Sequence, residues 1–165
     1  HVAHCSSSNL KLASGLAPVV ELMRAGVNIG LGTDGAASNN RLDLISEMRM
    51  TALLAKGVSG DAAALPAATV LKMATLDAAR ALNLDDRIGS ITPGKRADLV
   101  AVDLRGLVCQ PVFDPVSHLV YVAGREHVTH VWVDGKLKLN ERRLVDMDTD
   151  DLNARASYWR TKLTA

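Results

Sequence analysis

Cysteine is scarce: only Cys5 and Cys109 occur in 165 residues. They lie far apart in apolar stretches, so reduced, buried thiols are the simplest expectation, and with them a cytoplasmic protein. An excess of charge of either sign is also lacking. The 19 basic and 18 acidic residues leave a net charge of +1, which gives no electrostatic reason to expect nucleic acid or an anionic membrane as partner. No apolar run approaches the roughly 20 residues of a spanning helix, and no signal-peptide pattern opens the sequence. Internal repeats and low-complexity segments are absent. So is any His-x-His, the spacing that puts two histidines on one face of a strand and lets them share a metal.

What is present suits a globular core: 48% hydrophobic and 22% charged residues, in a length typical of one domain. His1-Val2-Ala3-His4-Cys5 reads as the middle of a strand. A polar loop, Ser6-Ser7-Ser8-Asn9, is expected next. Pro18 to Ala25 suits a helix, with Pro18 in its first turn and Gly26 just past its end. Residues 27–33 read as a second strand. Val27, Ile29 and Leu31 would turn toward the helices, and Asn28, Gly30, Gly32 and Asp34 toward a crowded interior. A helix from about Leu42 to Lys56 follows, with Asn40 as N-cap and Gly57 as its stop; Ile45, Met48, Ala52 and Ala55 form its apolar stripe. Residues 66–83 hold two shorter helices broken near Thr75, which is placed to cap the second. Strand, helix, strand, helix means a parallel sheet. Past a boundary near residue 87 the character becomes mostly β: a strand at 98–103, a hairpin of 128–133 and 136–139 around Asp134-Gly135, and a closing polar helix at 148–163.

Asp34 is the leading chemical group. It follows a parallel strand at the end where barrel enzymes place catalytic side chains. A carboxylate there can ligate a metal and take a proton from water; otherwise it is a loop aspartate that holds a turn. Gly30-Leu31-Gly32-Thr33-Asp34-Gly35 matches the dinucleotide-binding glycine pattern literally. However, Asp34 would set a negative charge against a pyrophosphate, and no helix opens at Gly35. His1 and His4 are three apart, so they point to opposite faces of a strand and do not share a metal easily. His4 is the one expected inside, on the substrate side or simply as a hydrogen-bonded interior histidine. His118, His127 and His130 have no metal-site spacing and read as packing or surface residues. Lys95-Arg96 and Arg142-Arg143 read as solvated turn charges.

Three runs together carry a resemblance. They are His4-Cys5-Ser6-Ser7-Ser8-Asn9-Leu10-Lys11-Leu12-Ala13-Ser14-Gly15, Gly32-Thr33-Asp34-Gly35-Ala36-Ala37-Ser38-Asn39-Asn40, and Ile88-Gly89-Ser90 through Pro93-Gly94-Lys95-Arg96-Ala97-Asp98-Leu99-Val100. The chain resembles the amidohydrolase superfamily, in the branch of S-adenosylhomocysteine/5′-methylthioadenosine deaminases and the triazine hydrolases and chlorohydrolases. The resemblance implies an α/β fold: the C-terminal part of a (β/α)8 TIM-type barrel at 1–87, part of a small β-sandwich at 88–146, and a C-terminal helix at 147–165. It implies one divalent metal, zinc first and Fe2+ or Mn2+ as alternatives. Of the family's ligands, a His-x-His, a further histidine and an aspartate, only the aspartate has a counterpart, at Asp34. The implied activity is hydrolytic deamination of the adenine ring of S-adenosylhomocysteine, 5′-methylthioadenosine or adenosine, releasing ammonia. Asp34 would hold the metal, handle the water's proton and, with His4, meet the substrate. Guanine, 8-oxoguanine or an s-triazine as substrate, or a non-catalytic relative of the fold, are the alternatives. A homo-oligomer is expected, and so is a need for the N-terminal half of the barrel, without which the strands would lack cover on one face.

Overall fold

Parallel pairing is what the first two strands adopt. The computed structural model describes residues 1–164. It places β1 at Val2–His4 and β2 at Ile29–Leu31, with Val2 opposite Ile29 and His4 opposite Leu31. Between them lie α1 (Ser6–Lys11) and α2 (Val19–Arg24). After β2 come α3 (Leu44–Ser59), α4 (Ala67–Ala74) and α5 (Leu76–Ala81). Then follow β3 (Leu99–Val102), α6 (Pro115–Tyr121), β4 (Val128–Val133), β5 (Lys136–Asn140), β6 (Arg143–Leu144) and α7 (Thr149–Thr164). Strands β3 to β6 form one antiparallel sheet in chain order. Ala165, the last residue of the expected closing segment, lies outside the described residues.

The core gathers around the parallel pair. Val19 of α2, Ile29 and Leu31 of β2, Met48, Ala52 and Ala55 of α3, Val70 and Met73 of α4, and Val120 of α6 are buried in one cluster. The opposite face of β2 is crowded by a helix. Gly30 lies on α5, where an added Cβ would come 2.8 Å from the Ala78 Cα. Beside it, the Asn28 side chain donates to the Asp77 carbonyl at 2.9 Å. Both faces of β2 are therefore covered by helices of this same chain. The small side of the strand exists because a helix backbone needs the space.

Several local expectations are corrected. Ser6–Asn9 is helical, not a loop: Ser6 Oγ shares a hydrogen bond with Thr51 Oγ1 (2.7 Å), and Ser7 N–H donates to Glu47 (3.1 Å). These tertiary partners satisfy a stretch whose own propensity is poor. The long helix α3 starts later than expected, because Leu42 is in a left-handed conformation (φ 48°) and Asp43, not Asn40, caps it by accepting from Ser46 N–H. Its stop is Gly60 (φ 65°), and Gly57 lies inside. Thr75 does separate α4 from α5, but its hydroxyl donates back to the Leu71 carbonyl instead of capping α5. Helix α6 interrupts the β-rich part; Asp114 caps it and Pro115 occupies its first turn. The Asp134-Gly135 hairpin forms as expected. Both residues take positive φ (52° and 75°), as its twist demands. Lys95 is not merely solvated: its ammonium donates to the carbonyls of Asp85 and Ile88. Arg143 pairs in β6 opposite Asn140.

Candidate functional site

Asp34 stands three residues beyond β2, where the chain reverses with Asp34 in the left-handed region (φ 61°). Aspartate tolerates that conformation better than most residues because its short polar side chain bonds locally. Here Gly35 N–H donates to Oδ1 at 2.7 Å. Two hydroxyls converge on Oδ2: Ser8 from α1 at 2.6 Å and Ser38 from the following turn at 2.8 Å. That turn is closed by the N–H groups of Ser38 and Asn39 donating to the Gly35 carbonyl. Lys11 of α1 ties it down further, donating to the Ala37 carbonyl (2.8 Å) and to Asn40 Oδ1 (2.6 Å).

The electrostatics follow from those donors. The Ser8 hydroxyl, then the Ser38 hydroxyl and the Gly35 amide, hold the Asp34 carboxyl below the usual aspartate range. All three donors are neutral, and among the described residues no cation forms an ion pair with Asp34. The carboxylate therefore keeps its full charge in a fixed orientation while remaining solvent-exposed. An ionised carboxylate offers about four acceptor positions, and the three donors leave one free. This suits a single ligand contribution to a divalent cation. Among the described residues, no three His, Cys, Asp or Glu side chains come together in a group able to hold a metal. The chain thus presents one strong hard donor and no complete metal cage.

His4 and His1 part company as their spacing requires. His1 is exposed, whereas His4 is 7% exposed and faces the core side of β1. Its Nε2 meets Ser6 Oγ at 2.9 Å. Burial lowers its pKa, against a smaller opposing pull from the Glu47 charge. It is not hydrogen-bonded to Asp34; it supports the helix that carries Ser8. Cys5 is free, and its thiol is pushed up by burial first and then by the nearby Asp34 charge. That is the opposite of an activated nucleophile.

Sequence reasoning singled out Asp34 but not the residues that hold it, and the most consequential of these is Glu47. It is 1% exposed on α3, with Oε2 accepting from Ser7 N–H and Oε1 accepting from Asn39 Nδ2 at 2.8 Å. No local pattern marks it, and only the packing of α3 reveals it. Glu47 and Thr51 fall on the buried side of α3 with Met48, Ala52 and Ala55, so the apolar stripe has a polar seam.

The amidohydrolase family model matches residues 1–138. The chain belongs to the amidohydrolase family. Within that family it is 48% identical over all 165 residues to a 5-methylthioadenosine/S-adenosylhomocysteine deaminase from Teredinibacter turnerae, covering 37% of that protein. An adenosine deaminase from Xanthomonas campestris, solved with bound zinc, is 57% identical; it superposes with a TM-score of 0.96 over 98% of this chain and 37% of its own. An atrazine chlorohydrolase from Arthrobacter aurescens complexed with zinc is 30% identical, with a TM-score of 0.87 over 94% of this chain and 35% of its own. The chain thus spans about 37% of the length of the curated relatives it matches. Its fold is the α/β architecture of amidohydrolase barrels over that share, and zinc is the metal bound in the solved relatives. Among the described residues, no helix is long and apolar enough to cross a membrane.

Proposed function

We propose that this chain supplies the aspartate arm of a hydrolytic deaminase that acts on the adenine ring of 5′-methylthioadenosine, S-adenosylhomocysteine or adenosine. The observation that carries it is the fixation of the Asp34 carboxylate by three neutral donors at the C-terminal end of a parallel strand. The names of the relatives, at 48% and 49% identity over the whole chain, support the substrate class. In this reading residues 1–87 belong to the barrel, 88–146 to a sandwich and 147–165 to a closing helix. The intact protein is a homo-oligomer, and two free cysteines suit the cytoplasm.

Asp34 would be this chain's ligand to one divalent cation, zinc first. When bound, such a metal makes water nucleophilic near neutral pH. The reaction replaces the ring amino group with a carbonyl oxygen and releases ammonia, so the attacking water gives up both its protons, one ending on the ring nitrogen and one on the departing nitrogen. Asp34 is the group that takes a proton from the water and delivers one to the departing nitrogen. The Ser8 and Ser38 hydroxyls keep the carboxylate from rotating away while it does so. His4 acts at one remove, through Ser6 and α1.

The test is ammonia release by the intact zinc-loaded protein. 5′-Methylthioadenosine, S-adenosylhomocysteine and adenosine are expected to turn over well ahead of guanine, 8-oxoguanine and an s-triazine. Asp34→Ala should lower kcat by at least about a thousandfold, several kcal/mol of barrier, with the far-UV circular dichroism unchanged. Activity within about tenfold of wild type would exclude a reacting Asp34. Preference for guanine or a triazine would move the substrate assignment and leave the residue's role standing.

A further inference from the structure

We propose that Glu47 is the positioning residue for Asp34, a buried clamp that fixes both arms holding its carboxylate. The inference rests on Asp34 being the reacting carboxylate and extends that reading to α3. One Glu47 oxygen accepts the Ser7 amide (3.1 Å), and Ser7 precedes Ser8, whose hydroxyl reaches Asp34 Oδ2 at 2.6 Å. The other accepts the Asn39 side-chain amide (2.8 Å), and Asn39 follows Ser38, whose hydroxyl reaches the same oxygen at 2.8 Å. One carboxylate thus stands one residue from each of the two hydroxyls that orient the other.

Stability alone does not account for it. Glu47 is 1% exposed, and among the described residues no basic side chain pairs with it. A buried carboxylate held only by neutral donors is costly, and an apolar residue at a helix position facing the core would cost less. A charged acceptor does have one advantage here. It binds two N–H groups from different segments more strongly than a neutral acceptor would. Thr51, one turn further along α3, adds a second tie to α1 through Ser6. Helix α3 therefore acts as a rigid backing for the Asp34 turn, and its polar seam is what reaches across.

Intact zinc-loaded enzyme carrying Glu47→Gln keeps the side chain's shape but offers one acceptor oxygen to two donors. The expected result is kcat lower by about tenfold to a hundredfold, as loosened placement of a reacting group produces, with KM changed less than about twofold. Zinc should be lost more readily to a competing chelator, and the amides of Gly35, Ser38 and Asn39 should exchange with deuterium faster. In a double-mutant cycle with Ser38→Ala the two losses should be clearly non-additive, because one acts through the other. Met48→Ala, on the same helix, should lower Tm yet leave kcat within about twofold, separating lost stability from lost placement. If Glu47→Gln does not fold, Asn39→Ala removes the second arm and carries the same expectations. The clamp is overturned if the folded variant keeps kcat within about threefold of wild type, or if its loss adds fully to that of Ser38→Ala. Activity surviving in Asp34→Ala would instead overturn the parent reading. An inactive Asp34→Ala beside an unimpaired Glu47→Gln overturns the clamp alone.

Discussion

From Val19 to Ala79 the chain buries apolar side chains from every helix it makes, and Ala52, Val70 and Met73 are wholly enclosed. From Leu99 to Thr164 the pattern is reversed. No residue of β3 to β6 or α7 is fully buried, and Val100, Val133, Leu144, Trp159 and Leu163 are exposed. The exceptions in that second region are Cys109, Val120 and Ala123; Val120 is buried because α6 packs back onto α3 and α4. The difference teaches where precision is available. A carboxylate oriented to a few tenths of an ångström needs a stiff support, and only the first region supplies one. Asp34 sits there with Gly35 and Ser38, and Ser8 reaches it from α1, which is tied to α3 through Ser6 and Ser7.

Core truncations should sharpen this contrast most. Met73→Ala removes a fully buried side chain and is expected to cost about 2–5 kcal/mol, whereas Val133→Ala, at 49% exposure, should stay within about 0.5 kcal/mol. Urea unfolding of both variants decides it; equal losses would break the contrast. A smaller effect is expected at Gly30. Alanine there drives a methyl group into the Ala78 backbone, so α5 must shift, at about 1–3 kcal/mol. An unchanged unfolding midpoint would mean that α5 is not packed as tightly as described.

The smallest expected effect is a pH dependence carried by His4. Burial lowers its pKa, so the folded chain favours the neutral ring. The unfolded chain takes up a proton near the ordinary value of about 6.5, and the folded chain does so only at lower pH. This contribution to stability is therefore complete above that value and is lost as pH falls below it; the Glu47 charge works in the opposite sense and softens the loss. Tm measured from pH 7.5 down to 5.5, about a unit either side of that value, should fall less steeply in His4→Gln than in the wild type. Parallel slopes would mean that His4 titrates alike in both states.

These contrasts also mark what was legible in the residues. The two strands, the break at Thr75 and the Asp134-Gly135 hairpin follow from local patterns, because each depends on its own few residues. Helix α1 was not legible: Ser6, Ser7 and Ser8 are poor helix formers, and what holds them arrives from α3, some 40 positions away. Helix α6 hid behind its valines, although Asp114-Pro115 spells a helix start. Gly30 was read as facing a crowded interior, but that α5 does the crowding was not legible, since the sequence does not say which element approaches. Asp34 was legible from its place after a strand. Its clamp was not, because a glutamate two residues past Ile45 looks like any solvated helix charge until α3 is seen to bury that side.

The central claim is that Asp34 is where this chain meets a metal. Diffraction from the intact protein with zinc, using the anomalous signal at the zinc edge, tests it directly. The account predicts a zinc ion bound through the Asp34 carboxylate, with the Ser8 and Ser38 hydroxyls still on Oδ2 and no other ligand from residues 1–164. Zinc held by His1 and His4, or zinc present with the Asp34 carboxylate turned away from it, would contradict the account.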